Sequence, residues 1–249
     1  MKNLILITQR ELQSYFNSMS GYIVVAIVLG ISGLLFNTMA LGENPKLSYD
    51  ILAGTGPRHF GFFWVMFGTT TIASVFLTMR LISEERQSGT LVLMHSSGVK
   101  DWQIVLGKWG SALVFISFLL LCSTYIPALI FINGKVALSH IAVGYLGLFL
   151  AASMSSAIGV FSSSFTKSQV ISALTSGVIL AFFLLSWILA RSVDAPFKEF
   201  FSYLSMFDRH FGRTFAKGQI QTRSIFYFFS MTTFFLLLAV RVMQTRRWK

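Results

Sequence analysis

Only one cysteine, Cys122, occurs in 249 residues. That excludes an internal disulfide, a cysteine-based zinc site and an iron–sulfur cluster. Charge is scarce: Asp, Glu, Lys and Arg make up 12% of the chain against about 25% in an average soluble domain. The nine carboxylates are Glu11, Glu43, Asp50, Glu84, Glu85, Asp101, Asp194, Glu199 and Asp208, and none falls inside a long apolar run. An ion- or proton-driven carrier needs an ionisable group at mid-membrane to bind the coupling ion, and this sequence supplies none. HExxH, GxSxG and the GxxxxGK[ST] phosphate loop are all missing: Gly107-Lys108 runs into Trp109, and Gly134-Lys135 into Val136. No catalytic group, metal site or resident cofactor is expected, and energy for uphill movement must come from another subunit.

What the chain has in abundance is apolar surface. Hydrophobic residues reach 54%, with 26 Phe, 5 Trp and 7 Tyr, and the mean hydropathy is +0.69. A soluble core of this size cannot hide so many rings, so a bilayer is the expected solvent. Six uncharged runs, at about 21–41, 60–79, 109–132, 141–165, 170–190 and 225–240, are each long enough to span. They are continuous rather than alternating, which selects helices over barrel strands. The net charge of +11 does not signal nucleic acid, because the cations flank apolar runs and suit anionic lipid headgroups. Lys and Arg in the short loops, with the cationic C-terminus at 245–249, place both termini in the cytoplasm. The stretch before the first run, about 2–18, carries Leu4, Leu12 and Phe16 at helical spacing and reads as an amphipathic surface helix.

Hydroxyl and small side chains recur inside the runs. Thr70, Ser74 and Thr78 follow at four-residue steps, as do Ala173, Gly177 and Ala181, and the fourth run carries Ala151, Ala152, Ser153, Ser155, Ser156, Ala157 and Gly159. Such lines let helix backbones approach closely. A second reading makes Thr70, Ser74 and Thr78, with Ser172 and Ser176, the lining of a pathway between two copies of the protein.

Two loops have content. In 81–108, Gly89 can end a helix through a positive φ and Thr90 can cap the next; Ser97-Gly98 breaks that one, and a further helix begins near Asp101. In 191–224, Phe197, Phe201, Leu204, Phe211 and Phe215 recur near helical spacing beside Arg209, Arg213 and Lys217, as in a helix half sunk in the outer interface.

The run Arg80-Leu81-Ile82-Ser83-Glu84-Glu85-Arg86, then Gly89-Thr90-Leu91, then Ile104-Val105-Leu106-Gly107-Lys108 resembles the cytoplasmic loop of ABC-2 type permeases. The match is nearest to the gliding-motility and copper-enzyme-maturation branch, and departs from the family pattern at Val92 and Ser97. The resemblance implies an all-α integral membrane protein of the ABC-2 (type V exporter-like) permease fold, with six spans after an amphipathic elbow helix, forming one permease domain over 1–249. It implies a place in the bacterial inner membrane, a separate ATP-binding subunit carrying ATP and magnesium, a second permease copy or relative, and lipid contacts. Coupling to the ATPase is then expected at Glu84, Glu85, Gly89, Thr90, Leu91 and Met94. The resemblance also implies that the region around Tyr203-Leu204-Ser205 and Lys217-Gly218-Gln219-Ile220 forms short helices capping the outer end of the pathway, with an outer gate at Phe201, Leu204, Phe207 and Phe211, and the implied direction is export. The alternative function is a mechanotransmitting subunit that drives an outer-face partner and moves no substrate.

Overall fold

The computed structural model describes residues 2–40, 52–53, 61–90, 98–133, 137–194 and 197–246. Among them no strand occurs; the helices are α1 (Lys2–Asn17), α2 (Met19–Ala40), α3 (Phe62–Thr78), α4 (Ser83–Gln87), α5 (Asp101–Ser123), α6 (Tyr125–Asn133), α7 (Leu138–Phe165), α8 (Gln169–Ser192), α9 (Phe197–Leu204) and α10 (Thr222–Arg246), with a π-helical turn at Met206–Gly212 and a 3-10 turn at Phe215–Lys217 before α10. Among the described residues, six segments are long and apolar enough to cross a membrane: Met19–Thr38, Phe62–Gln87, Asp101–Leu129, Leu138–Phe165, Gln169–Ser192 and Thr222–Thr245. They coincide with the six runs read from the sequence. The third differs at its start: the apolar run from 109 is the continuation of a helix that begins at Asp101. There the Lys100 N–H donates to Gln103 Oε1 at 3.2 Å, and the Gln103 N–H to Lys100 O at 2.9 Å. Lys108 therefore sits on a span helix rather than in a loop.

α7 is the centre of the bundle and packs against α10, α3, α8 and α5. Residues 151–160 are all buried, because Ala and Ser there leave room for neighbouring backbones. The approach is closest at three glycines. A Cβ at Gly144 would collide with the Phe63 ring, one at Gly147 with Phe215, and one at Gly159 with Thr78 Oγ1. The chain's outward faces stay apolar: Val170, Leu174 and Val178 on α8 and Phe226 and Phe229 on α10 are each more than 60% exposed. Such surface is stable against lipid or another apolar chain, not against water.

Candidate functional site

At the end of the bundle where α3 finishes and α5 begins, α1 lies across α3 and α5. The Tyr15 hydroxyl donates to Leu77 O at 2.9 Å, and Thr8 Oγ1 donates to Gly107 O at 3.1 Å. The Arg80 guanidinium stacks over the Tyr15 ring and donates to Ser20 Oγ at 2.8 Å. These anchors fix the register at which the charged side chains of α1 meet the adjoining ends of the spans.

The charges converge on Lys108. Its side chain is 1% exposed, and Nζ lies 2.8 Å from Glu11 Oε1 and 2.9 Å from Glu85 Oε1. Arg10 bridges the same two carboxylates at 3.1 and 2.7 Å. A buried ammonium is tolerated only when paired, so α1, α4 and α5 are tied together by four charges that cancel. Burial alone pushes the Glu11 carboxyl up, but Lys108 and Arg10 outweigh it and hold it below the usual carboxylate range. A cleft of about 440 Å³ opens beside the cluster, with Arg80, Glu84, Ser88 and Thr90 on its wall. Sequence reasoning missed this cluster, because Lys108 was assigned to a loop. Its signal was there: Glu11 is the sole acidic residue of the amphipathic segment, and Lys108 is a cation entering an apolar run.

The expected coupling residues separate in this setting. Glu84 is exposed. Glu85 Oε1 is paired with both Lys108 and Arg10, while its Oε2 is buried with no hydrogen-bond partner among the described residues. Gly89 has φ +73°, the left-handed turn that glycine permits. Thr90 is exposed, where helical geometry resumes, and its Oγ1 lies 2.9 Å from Ser88 Oγ. Leu91 and Met94 lie outside the described residues.

Thr70, Ser74 and Thr78 are fully buried within the single chain. Their hydroxyls donate to Met66 O, Thr71 O and Ser74 O of their own helix. Ser172 and Ser176 are buried on α8; Ser176 donates to Ser172 O, and Ser172 Oγ has no hydrogen-bond partner among the described residues. Among those residues no hydrogen bond joins the two lines.

The 197–217 segment is a series of short helical pieces, not one continuous half-sunk helix. Extended backbone at Ser205 separates α9 from the π-helical turn, and Ser205 Oγ accepts the Asp208 N–H at 3.3 Å. Phe207 packs edge-on to Trp64 at 4.5 Å, and Phe211 lies 4.5 Å from Phe67, so both cap the N-terminal start of α3. Leu204 O accepts the Tyr227 hydroxyl at 2.8 Å, whereas Phe201 stays half-buried beside Phe200. Phe211 and Phe215 are fully buried in protein rather than turned to lipid. His210 pins the cap: its ring stacks on Tyr227 at 3.9 Å, Nε2 meets Tyr203 O at 2.9 Å, and Nδ1 meets Ser224 Oγ at 3.2 Å. A carbonyl only accepts, so Nε2 carries the proton and Nδ1 accepts from Ser224. Burial, with Arg209 and Arg223 nearby, pulls the His210 imidazole down to about 4 despite the bond to Tyr203.

Among the described residues no group of three or more His, Cys, Asp or Glu is placed to hold a metal ion. A comparison with curated proteins gives no match. Residues 2–211 match the ABC-2 type transporter family. The match runs from α1 through the loop, five spans and the π-helical turn. Permeases of this family pair with ATP-binding cassette subunits, which suits a chain that carries no phosphate loop of its own. With most of its length matched and all six spans in place, the chain belongs to the ABC-2 type transporter family, as a multi-pass membrane permease subunit of an ABC transporter.

Proposed function

We propose that this permease works as one domain over its whole length, pairs with a second copy or a relative, and exports a substrate when a separate ATP-binding subunit closes on ATP. The observation that carries the reading is the ionic cluster at Lys108. It joins the base of the 81–108 loop to the elbow helix and to the inner end of α5, so a push on the loop reaches three helices at once. Both termini and the loop are cytoplasmic in this reading. Glu84, Gly89, Thr90, Leu91 and Met94 make the contact surface, while Glu85 holds that surface in place. Thr70, Ser74 and Thr78 with Ser172 and Ser176 line the pathway once the bundle opens, and Phe201, Leu204, Phe207 and Phe211 close its outer end. The inner-membrane location and the gliding-motility and copper-enzyme-maturation branch follow from the loop resemblance. The test is co-purification of the permease with its ATP-binding subunit and ATP-dependent movement in vesicles. Glu84→Lys should insert at normal levels and lose the ATPase; retention of the ATPase with normal transport overturns the loop's role.

A second reading draws on the outer cap, whose aromatic rings tie α3 to α10. A cap so firmly joined can relay ATP-driven motion to a partner outside the membrane without moving a substrate. Protection of 191–224 in crosslinking favours it; ATP-dependent release of a molecule across the membrane opposes it.

A further inference from the structure

The second span does not leave the bundle as a plain helix. After Thr78 the ladder tightens, with the Leu81 N–H reaching Thr78 O at 3.2 Å. The next two N–H groups, of Ile82 and Ser83, leave the ladder and both donate to Ser163 Oγ on α7, at 2.9 Å each. The Ser163 hydroxyl in turn donates to Met79 O at 3.1 Å, and Ser83 Oγ donates to the same carbonyl at 2.6 Å. A serine hydroxyl has one proton to give and two lone pairs to accept with. All three capacities are filled here, by backbone groups that a continuous helix would have paired within its own ladder. Ser163 is fully buried, and one turn earlier Gly159 receives Thr78 in close contact. Gly159 and Ser163 thus form a socket on α7 for the inner end of the second span.

The same groups have a second complete set of partners. If the helix straightened, the Ile82 and Ser83 N–H groups would reach Thr78 O and Met79 O, the carbonyls four residues back. Ser163 Oγ would then turn to the carbonyl four residues before it, as Ser155 does to Ala151 O and Ser176 to Ser172 O in this protein. No buried donor is stranded in either arrangement, which is the condition for a two-state element rather than a rigid joint.

We propose that Ser163 is a positioning residue that selects between a bent and a straight inner end of the second span, and so sets where Glu84, Gly89 and Thr90 are presented. The inference rests on the reading of that loop as the ATPase contact only for what drives the switch, not for its existence. Its test therefore begins with the permease alone. Spin labels go on exposed Gln87, beyond the bend, and on exposed Leu146, toward the other end of α7. Ser163→Ala should shift the distance by several ångströms, and Ser163→Thr, which keeps the hydroxyl, should restore it. Ser162→Ala is the matched control: that neighbour is equally buried, and its Oγ has no hydrogen-bond partner among the described residues. It should leave the distance unchanged. The same distance in wild type and Ser163→Ala overturns the proposal, as does an equal shift in Ser162→Ala. If Ser163→Thr does not fold, Ser163→Cys serves for the partial restoration expected of a weaker hydrogen-bonding group. A second arm uses the complex trapped with ATP and vanadate, where the wild-type distance should move toward that of Ser163→Ala. A distance that responds to Ser163 but not to nucleotide overturns the switch while leaving ATPase docking intact. Failure of the complex to form overturns docking, and the first arm still decides the role of Ser163.

Discussion

At the scale of single residues, the energetics turn on groups that have no spare room or no spare partner. Lys108 is buried against two carboxylates. Removing it as Lys108→Ala leaves Glu11 and Glu85 facing one another with only the exposed Arg10 to offset them. Breaking a buried pair costs about 3 kcal/mol or more, so the detergent-purified permease should melt well below wild type. Glu85→Lys should fail in the same assay, since it sets two cations together, whereas Glu84→Lys should melt normally. Gly159 makes a complementary case. A methyl there collides with Thr78 Oγ1, and overpacking of this kind costs about 1–3 kcal/mol. Gly177→Ala should be neutral in the same melting series, because nothing lies within 4 Å of its position.

At the scale of elements, the cap formed by 197–218 has a stability that depends on pH. His210 is neutral in the fold and its imidazole is pulled down to about 4, against an ordinary value of 6.5. The unfolded segment thus binds a proton more readily than the folded one between those limits. The stabilisation is complete above pH 6.5 and is lost as pH falls toward 4. The depression corresponds to about 3 kcal/mol across that window. Limited proteolysis of 197–218 in vesicles should accelerate on the acid side of pH 6.5, and His210→Phe should flatten the dependence. A profile equally steep without the imidazole would place the titrating group elsewhere. The element scale is also where the sequence was read least well. The spacing of Phe197, Phe201, Leu204, Phe211 and Phe215 alone suggests one helix where the family resemblance implies short ones, and Ser205 breaks the chain by using its side chain as a cap. A local side-chain-to-backbone bond of this kind competes with helix and leaves no trace in apolar periodicity.

For the whole molecule, topology and energy supply are the properties to measure. If the proposed orientation holds, a reporter after Lys249 should read cytoplasmic and one near Asp208 external. A cytoplasmic signal at Asp208 would break the six-span arrangement. Purified alone, the chain should show no ATP hydrolysis above background and no proton-driven uptake, since it holds neither a phosphate loop nor a carboxylate within the apolar runs. Stimulated hydrolysis should appear only when the ATP-binding subunit is added.

Composition and hydropathy were enough to determine the number of spans, the helical class, the amphipathic first helix and the left-handed turn at Gly89. Each depends on local quantities: the transfer of twenty consecutive apolar side chains into lipid, the spacing of an apolar stripe, or the φ that glycine alone reaches cheaply. The loop residues 80–91 and 104–108 also carried the family. Only the tertiary structure decided that Glu85 is an internal partner of Lys108, that Thr78 is seated against Gly159, and that Ser163 takes over two backbone donors of another span. Each of these joins residues far apart in sequence. Their energies come from excluding water around a charge or a polar backbone group, a condition that exists only once the helices have packed.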